Sequence, residues 1–234
     1  MEPRSTGDLS EPARRDDHEG DGATRGTSRM EAFADGVFAI AFTLPIFNIV
    51  LPTVGPNPEP LSRELLAIWP HYLSYLLASV IIGLYWVHHH FSGAIYRTTG
   101  HWFLIATAIF LTMIGFIAFP ARVFAEHLIV PAEREAASRY IVLALAAVSL
   151  SWLLKWSVGL RRGHVDQRLE PDYVRRLNRR YQRICAWKLA AAVVCIFSWE
   201  LGLGMAMAGL AVMILPPETP RYQTVAPAVE GEEG

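Results

Sequence analysis

The chain is short of the features that define most soluble folds. It has only two cysteines, Cys185 and Cys195, and both lie in one apolar run. That setting marks them as buried thiols and argues against a disulfide framework or a metal pair. Short alternating strands with turn signals are missing, which argues against a β-barrel. The charged N-terminus lacks an apolar core followed by a small-residue cleavage site, so it is not expected to be a signal peptide. Net charge is −1, and nothing aromatic or motif-like accompanies the basic residues, so no nucleic-acid partner is expected.

What the chain does have is apolar residues, 52% of its 234. They lie in long runs separated by charged segments. A bilayer-spanning helix needs about 20 predominantly apolar residues, and several runs meet or approach that length. The expected class is an all-α integral membrane protein.

Residues 1–27 have almost no large apolar side chain and read as a disordered cytoplasmic tail. Residues 28–217 form the expected transmembrane domain, and 218–234, ending in Glu230, Glu232 and Glu233, a second disordered tail. Ser28 and Glu31 have the spacing of a capping box and open a first helix that runs to about Leu51. A proline-rich loop follows. Ser62 is placed to cap a second helix ending near His90, with Trp69 and Tyr72 as interfacial aromatics. Further runs cover Trp102 to Phe119 and Tyr140 to Val158, the latter with Lys155 close enough to its end to snorkel. A basic segment, 160–183, precedes Ile184 to Leu215, which is too long for one crossing. It breaks near Trp199 to Gly204 into a short hairpin. That makes six crossings, and the clustering of arginine places both termini in the cytoplasm of a multi-pass cell-membrane protein.

Two features of this layout can carry chemistry. On the first helix Phe33, Val37, Ile40, Leu44, Phe47 and Leu51 recur at steps of three and four and so share a face. Such a ridge either packs against neighbouring helices or lines a narrow pore with copies from other subunits. Asp35 lies about two turns into the same helix, level with His88, His89 and His90 at the end of the second. A membrane acid needs a partner; one of these histidines or Arg29 is expected, the alternative being a headgroup position. Consecutive helical residues point about 100° apart, and no His or Glu recurs at the i+4 spacing of zinc motifs, so neither metal nor cofactor is expected. The spacing of Tyr173, Val174, Leu177, Tyr181 and Ile184 beneath the arginines suggests either a helix along the inner leaflet that attracts anionic lipid or topogenic charge leading into the fifth helix.

The run RMEAFADGVFAIAFTLPIFNIVLP closely resembles the first helix of the transmembrane protein 175 family of lysosomal and prokaryotic potassium channels. Arg29, Phe33 and Asp35 match its motif, followed by Gly36 to Ala41 and Thr43-Leu44. YWVHHHF at Tyr85 to Phe91, AFPA at Ala118 to Ala121 and the two closing helices extend the resemblance. It implies a six-helix subunit of a homotetramer that conducts potassium with weak to moderate selectivity. The first helix would line the pore, with a constriction at Ile40, Leu44 and Phe47. Arg29, Phe33 and Asp35, with His89 and His90, would brace that helix. Expected partners are potassium ions, the lipid bilayer and further copies of the chain.

This chain departs from the family pattern at three places. Ala34 stands where the motif has Ser, Pro45 replaces an apolar residue, usually Leu, and Phe47 takes a position where a smaller aliphatic residue is usual. Pro45 removes an N–H and is expected to kink the helix. The fragment Thr53-Val54-Gly55 matches part of an ordinary potassium filter, but Pro56 follows it and no pore helix precedes it. Two other classes remain open: a non-conducting membrane scaffold with the same fold, and a histidine-ligated membrane oxidoreductase.

Overall fold

A computed structural model describes residues 25–50, 52 and 60–223. The fragment Thr53-Val54-Gly55 and the two chain ends lie outside the described residues. The path begins with a short strand β1 (Arg25–Gly26), and α1 (Ser28–Thr43) follows, continuing as a 3₁₀ stretch over Leu44–Asn48. Next come α2 (Leu61–Ala67), α3 (Trp69–Gly93) and strand β2 (Thr98–Thr99). Helices α4 (His101–Phe116), α5 (Ala118–His127) and α6 (Arg134–Arg161) make up the middle of the chain. The last helices are α7 (Pro171–Phe197) and α8 (Trp199–Ala211), with a 3₁₀ turn over Val212–Ile214.

By length and composition four stretches can cross a membrane: 28–48, 69–93, 101–127 and 134–161. The fold is therefore mostly helical, with one two-stranded antiparallel patch joining β1 to β2. Helix α6 occupies the centre of the bundle and packs against α4, α5, α7 and α8, while α1 lies at its edge against α3 and α4. Apolar packing falls into two clusters. The larger includes Phe38, Ile82, Phe110, Ile141 and Leu145, and the smaller gathers Tyr96, Phe103, Trp156 and Tyr173 at the end that carries β1.

Several local expectations change. The N-cap of α1 is Thr27, without a side-chain capping bond, so Ser28 is already helical and does not stand at the capping position expected of it. Glu31 Oε1 is instead buried without a hydrogen-bond partner, beside Gly93. Pro60, not Ser62, precedes α2. Lys155 does not snorkel. It is 2% exposed, with its Nζ 5.3 Å from the ring of Trp152, 5.4 Å from Tyr96 and 5.7 Å from Phe110. These π-faces attract the ammonium where water is absent.

Structure also extends beyond the expected domain limits. Arg25 and Gly26 pair with Thr99 and Thr98 before α1 starts. Past Pro217 the chain continues as a strap: Glu170 N–H donates to the Arg221 carbonyl, Gln223 N–H to that of Arg168, and Tyr222 Oη to that of Ala94. The basic segment is not a separate surface helix. Its residues from Pro171 onward form the first half of α7, in line with the reading as charge leading into the fifth long helix.

The closing hairpin turns at Ser198, whose Oγ accepts from Leu201 N–H at 3.4 Å and so caps α8. Gly202 and Ala206 are buried, and a Cβ on Gly202 would overlap Cys195 on α7. Both cysteines are buried free thiols.

Candidate functional site: the exposed face of the first helix

Helix α1 buries one narrow stripe. Met30, Ala34, Phe38 and Ala41 turn inward, and Pro45 continues the stripe into the 3₁₀ stretch. Phe38 is the anchor: its ring lies 5.4 Å from that of His89 on α3 and 6.1 Å from that of Phe110 on α4. Ala34 is fully buried where a serine would introduce a hydroxyl. The other face is apolar and uncovered, with Ile40 58%, Leu44 53% and Phe47 82% exposed. Phe33 is exposed as well, and Val37 is partly buried. Leu51 lies outside the described residues. Ile40, Leu44 and Phe47 are thus no part of this subunit's core, while Val37 packs against it.

The expected kink takes the form of a change in helix type. Pro45 has no N–H to offer the Ala41 carbonyl, and its ring crowds that carbonyl. The Thr43 hydroxyl donates to the carbonyls of Ala39, at 2.9 Å, and Ile40, at 3.2 Å, a pattern that bends helices. From Leu44 the chain winds as a 3₁₀ helix up to Asn48.

Each residue expected to brace α1 has its own setting. Asp35 accepts a hydrogen bond from Trp86 Nε1 at 3.1 Å, two residues before the first of the three histidines. His88 turns away and donates through Nε2 to the Met213 carbonyl at 2.9 Å. His89 stacks on Phe110, with centroids 6.0 Å apart, and its Nε2 is buried without a hydrogen-bond partner. His90 is exposed beside Trp86 and Phe91. So His89 touches α1 through Phe38, and the structure does not join any of the three to Asp35 by a recorded bond. Arg29 and Phe33 line a cavity of about 340 Å³ shared with Thr107 and Leu111 of α4. Among the described residues no group of three or more His, Cys, Asp or Glu could hold a metal ion.

Between α1 and α3 runs an open apolar groove of about 800 Å³, with Phe42, Ile82 and Trp86 among its walls and Asp35 at its edge. At the far end of α1, Arg122 on α5 donates to Asn48 Oδ1 at 3.3 Å and to Glu126 at 2.7 Å, and Glu126 also faces His71 on α3. Sequence reasoning missed this bridge. Its one legible signal was the i, i+4 spacing of Arg122 and Glu126.

A second missed feature is Lys188 on α7. It is fully buried and donates to Tyr85 Oη at 3.0 Å, with its Nζ 3.5 Å from Met213 Sδ. At the β1 end, Arg168 forks onto Asp166, at 2.7 Å and 3.1 Å, and stacks over Tyr222. Those hydrogen bonds hold the Asp166 carboxyl below its usual range. Burial, with the charge of Arg162, pushes the His164 imidazole down.

Comparison with known proteins matches this geometry to one family. The family model described as the endosomal/lysosomal potassium channel TMEM175 matches residues 29–118, which span α1, α3 and α4. A potassium channel of Chamaesiphon minutus is 42% identical over 130 residues, covering 52% of this chain and 62% of that relative. One from Streptomyces collinus is 31% identical over 150 residues, covering 64% of this chain and 72% of the relative. The aligned region thus spans somewhat less than two thirds of the first relative and somewhat more of the second. The crystal structure of a lysosomal potassium-selective channel homolog from Chamaesiphon minutus superposes with a TM-score of 0.66 at 28% identity, covering 80% of this chain and 96% of that one.

Proposed function

Because this chain belongs to the TMEM175 family, a family of ion channels and not of enzymes, we propose that it is a subunit of a potassium-conducting channel whose pore is lined by α1. The observation that carries this reading is the uncovered face of α1. A row of large apolar side chains is more than half exposed at Ile40, Leu44 and Phe47, on a helix otherwise anchored by Phe38. Four such faces around a common axis form a homotetramer in which each residue contributes a ring. Stacked apolar rings make a constriction that controls passage by dewetting, with weak to moderate preference for potassium.

Six crossings fit this assembly. The four long stretches account for four of them. The apolar half of α7 from Ile184 and the α8 hairpin arm are each about 20–25 Å long at 1.5 Å per residue, enough to enter the bilayer as a short pair. Arginine clustering in the first half of α7 supports cytoplasmic termini in the cell membrane. Arg29, Phe33, Asp35, His89 and His90 serve as braces that hold α1 at its angle, Asp35 through Trp86 and His89 through Phe38.

Single-channel recording after reconstitution tests the reading. Potassium currents are expected from the purified chain, and Phe47→Ala should raise them by widening the bulkiest ring. Well-folded assemblies that pass no current under any gating condition would leave the scaffold reading in place. An absorbance spectrum and metal analysis address the oxidoreductase alternative.

A further inference from the structure

The first half of α7 carries more positive charge than its neighbours balance. Arg176, Arg179, Arg180 and Arg183 follow one another at helical spacing and so lie along one side of the helix. Arg176 has Glu218 at 3.8 Å, and Asp172, which pairs with Arg175, feels the charges of Arg176 and Arg179 at longer range. The nearest contact of Arg183 is a 3.4 Å donation to the Arg179 carbonyl, within its own helix. Among the described residues Arg179, Arg180 and Arg183 have no carboxylate partner.

These arginines border two adjoining recesses of opposite character. One, of about 610 Å³, is lined by the four arginines with Gln182 and Glu218. The other, of about 580 Å³, runs between α7 and α8 along Ile184, Trp187, Ala208, Val212 and Leu215. Arg180 and Arg183 belong to both. The apolar trough is a built feature. Trp187 Nε1 donates to the Met205 carbonyl at 2.8 Å, which holds the indole as a wall, and the absence of a side chain at Gly209 leaves room for it, since a Cβ there would lie 2.9 Å from Trp187 Cδ1.

We propose that this slot between α7 and α8 binds an anionic phospholipid of the membrane leaflet on the arginine side, with its phosphate among Arg179, Arg180 and Arg183 and an acyl chain along the trough. Charge complementarity selects the headgroup, and continuity between the charged and apolar recesses selects a lipid over a soluble anion. A free phosphate would fill only the first recess. The lipid also ties α7 to α8, because its two ends contact both helices. The proposal requires the chain to be in a membrane but does not depend on its conducting ions.

The test uses the full-length chain in neutral detergent, titrated with phosphatidylglycerol or phosphatidylcholine. Bound lipid per subunit is counted by native mass spectrometry, and the lipid-induced rise in melting temperature is recorded in parallel. Phosphatidylglycerol is expected to bind in preference and to lose affinity as salt is added. Each arginine near the membrane surface contributes about a fivefold factor, so R180Q/R183Q should lower that affinity about thirtyfold at low salt. Ala208→Phe, which fills the trough and leaves every arginine in place, should reduce retention as well. Equal binding of the two lipids, or retention by R180Q/R183Q equal to that of the parent, overturns the proposal. Displacement of the lipid by glycerol phosphate at equal concentration assigns the site to a free anion and also overturns it. A large gain in lipid binding on removing residues 224–234 would make the acidic tail the occupant, with the same consequence. Because binding is read without current, none of these outcomes bears on conduction.

Discussion

Helix α1 with its 3₁₀ continuation and helix α6 are both long and apolar enough to cross a membrane, yet 28% of the most apolar part of the first is buried inside the subunit against 61% of the second. Hydropathy alone does not separate them. The difference lies in what surrounds each helix: α6 packs mainly against four other helices, α1 mainly against two. A helix covered by its own chain holds the subunit together. One left uncovered must meet lipid, another copy or an aqueous path.

This contrast can be broken from the α6 side first. Trp156 is 1% exposed, contacts Tyr96 and Tyr181, and donates to Asn178 on α7 at 2.9 Å. Trp156→Ala should cost about 3–5 kcal/mol, the range for truncating a buried aromatic, seen as a large fall in melting temperature in detergent. A drop of only a degree or two would mean that α6 is less central than its burial indicates.

The loop after α6 gives a smaller effect that depends on pH. Asp166 is held below its usual titration range by Arg168. A carboxyl whose folded pKa is depressed contributes stability above its unfolded value, near 4, and loses it as pH falls through the folded value. Melting temperature should therefore decline below about pH 4 in the parent, and Asp166→Asn should flatten that decline while lowering stability at neutral pH. An identical acid profile in the variant would assign the decline to other carboxylates.

The smallest effect on stability, and the most telling one, is on α1. Ile40→Ala removes an exposed side chain, so the subunit's melting temperature should shift by less than about 0.5 kcal/mol equivalent. Conductance should nevertheless change. If Ile40→Ala destabilises the subunit as strongly as Trp156→Ala, the face belongs to a core and the contrast with α6 disappears.

Much of this architecture was legible in the residues. Long apolar runs marked the helices, the stretch from Trp199 to Gly204 marked the break in the last run, and the three-and-four spacing found the ridge on α1. What spacing could not decide was which face is covered, because an apolar ridge looks alike against protein, lipid or a pore. The hydrogen bond that Asp35 accepts was hard to read for a related reason. Depth in the membrane placed Asp35 level with three histidines, but the indole of Trp86, in the same YWVHHHF run, offers it an N–H at 3.1 Å. Lys155 was misjudged because snorkelling assumes a free path to water, and three aromatic rings from the turn after α3, from α4 and from α6 close that path. The strap to Gln223 rests on backbone pairing, which leaves no mark in side-chain pattern.

The 3₁₀ stretch at the end of α1 has a geometric consequence for the ridge. An α-helix advances about 1.5 Å and turns about 100° per residue, which would set Phe47 some 60° around from Leu44. A 3₁₀ helix advances about 2.0 Å and repeats every three residues, so Leu44 and Phe47 eclipse one another and stand about 6 Å apart along the axis. Around a symmetry axis they would form two coaxial collars with the same azimuth, and the tunnel between them would be longer than an α-helix would make it. In the proposed assembly the buried Pro45 would set the spacing of the two collars without itself facing the passage.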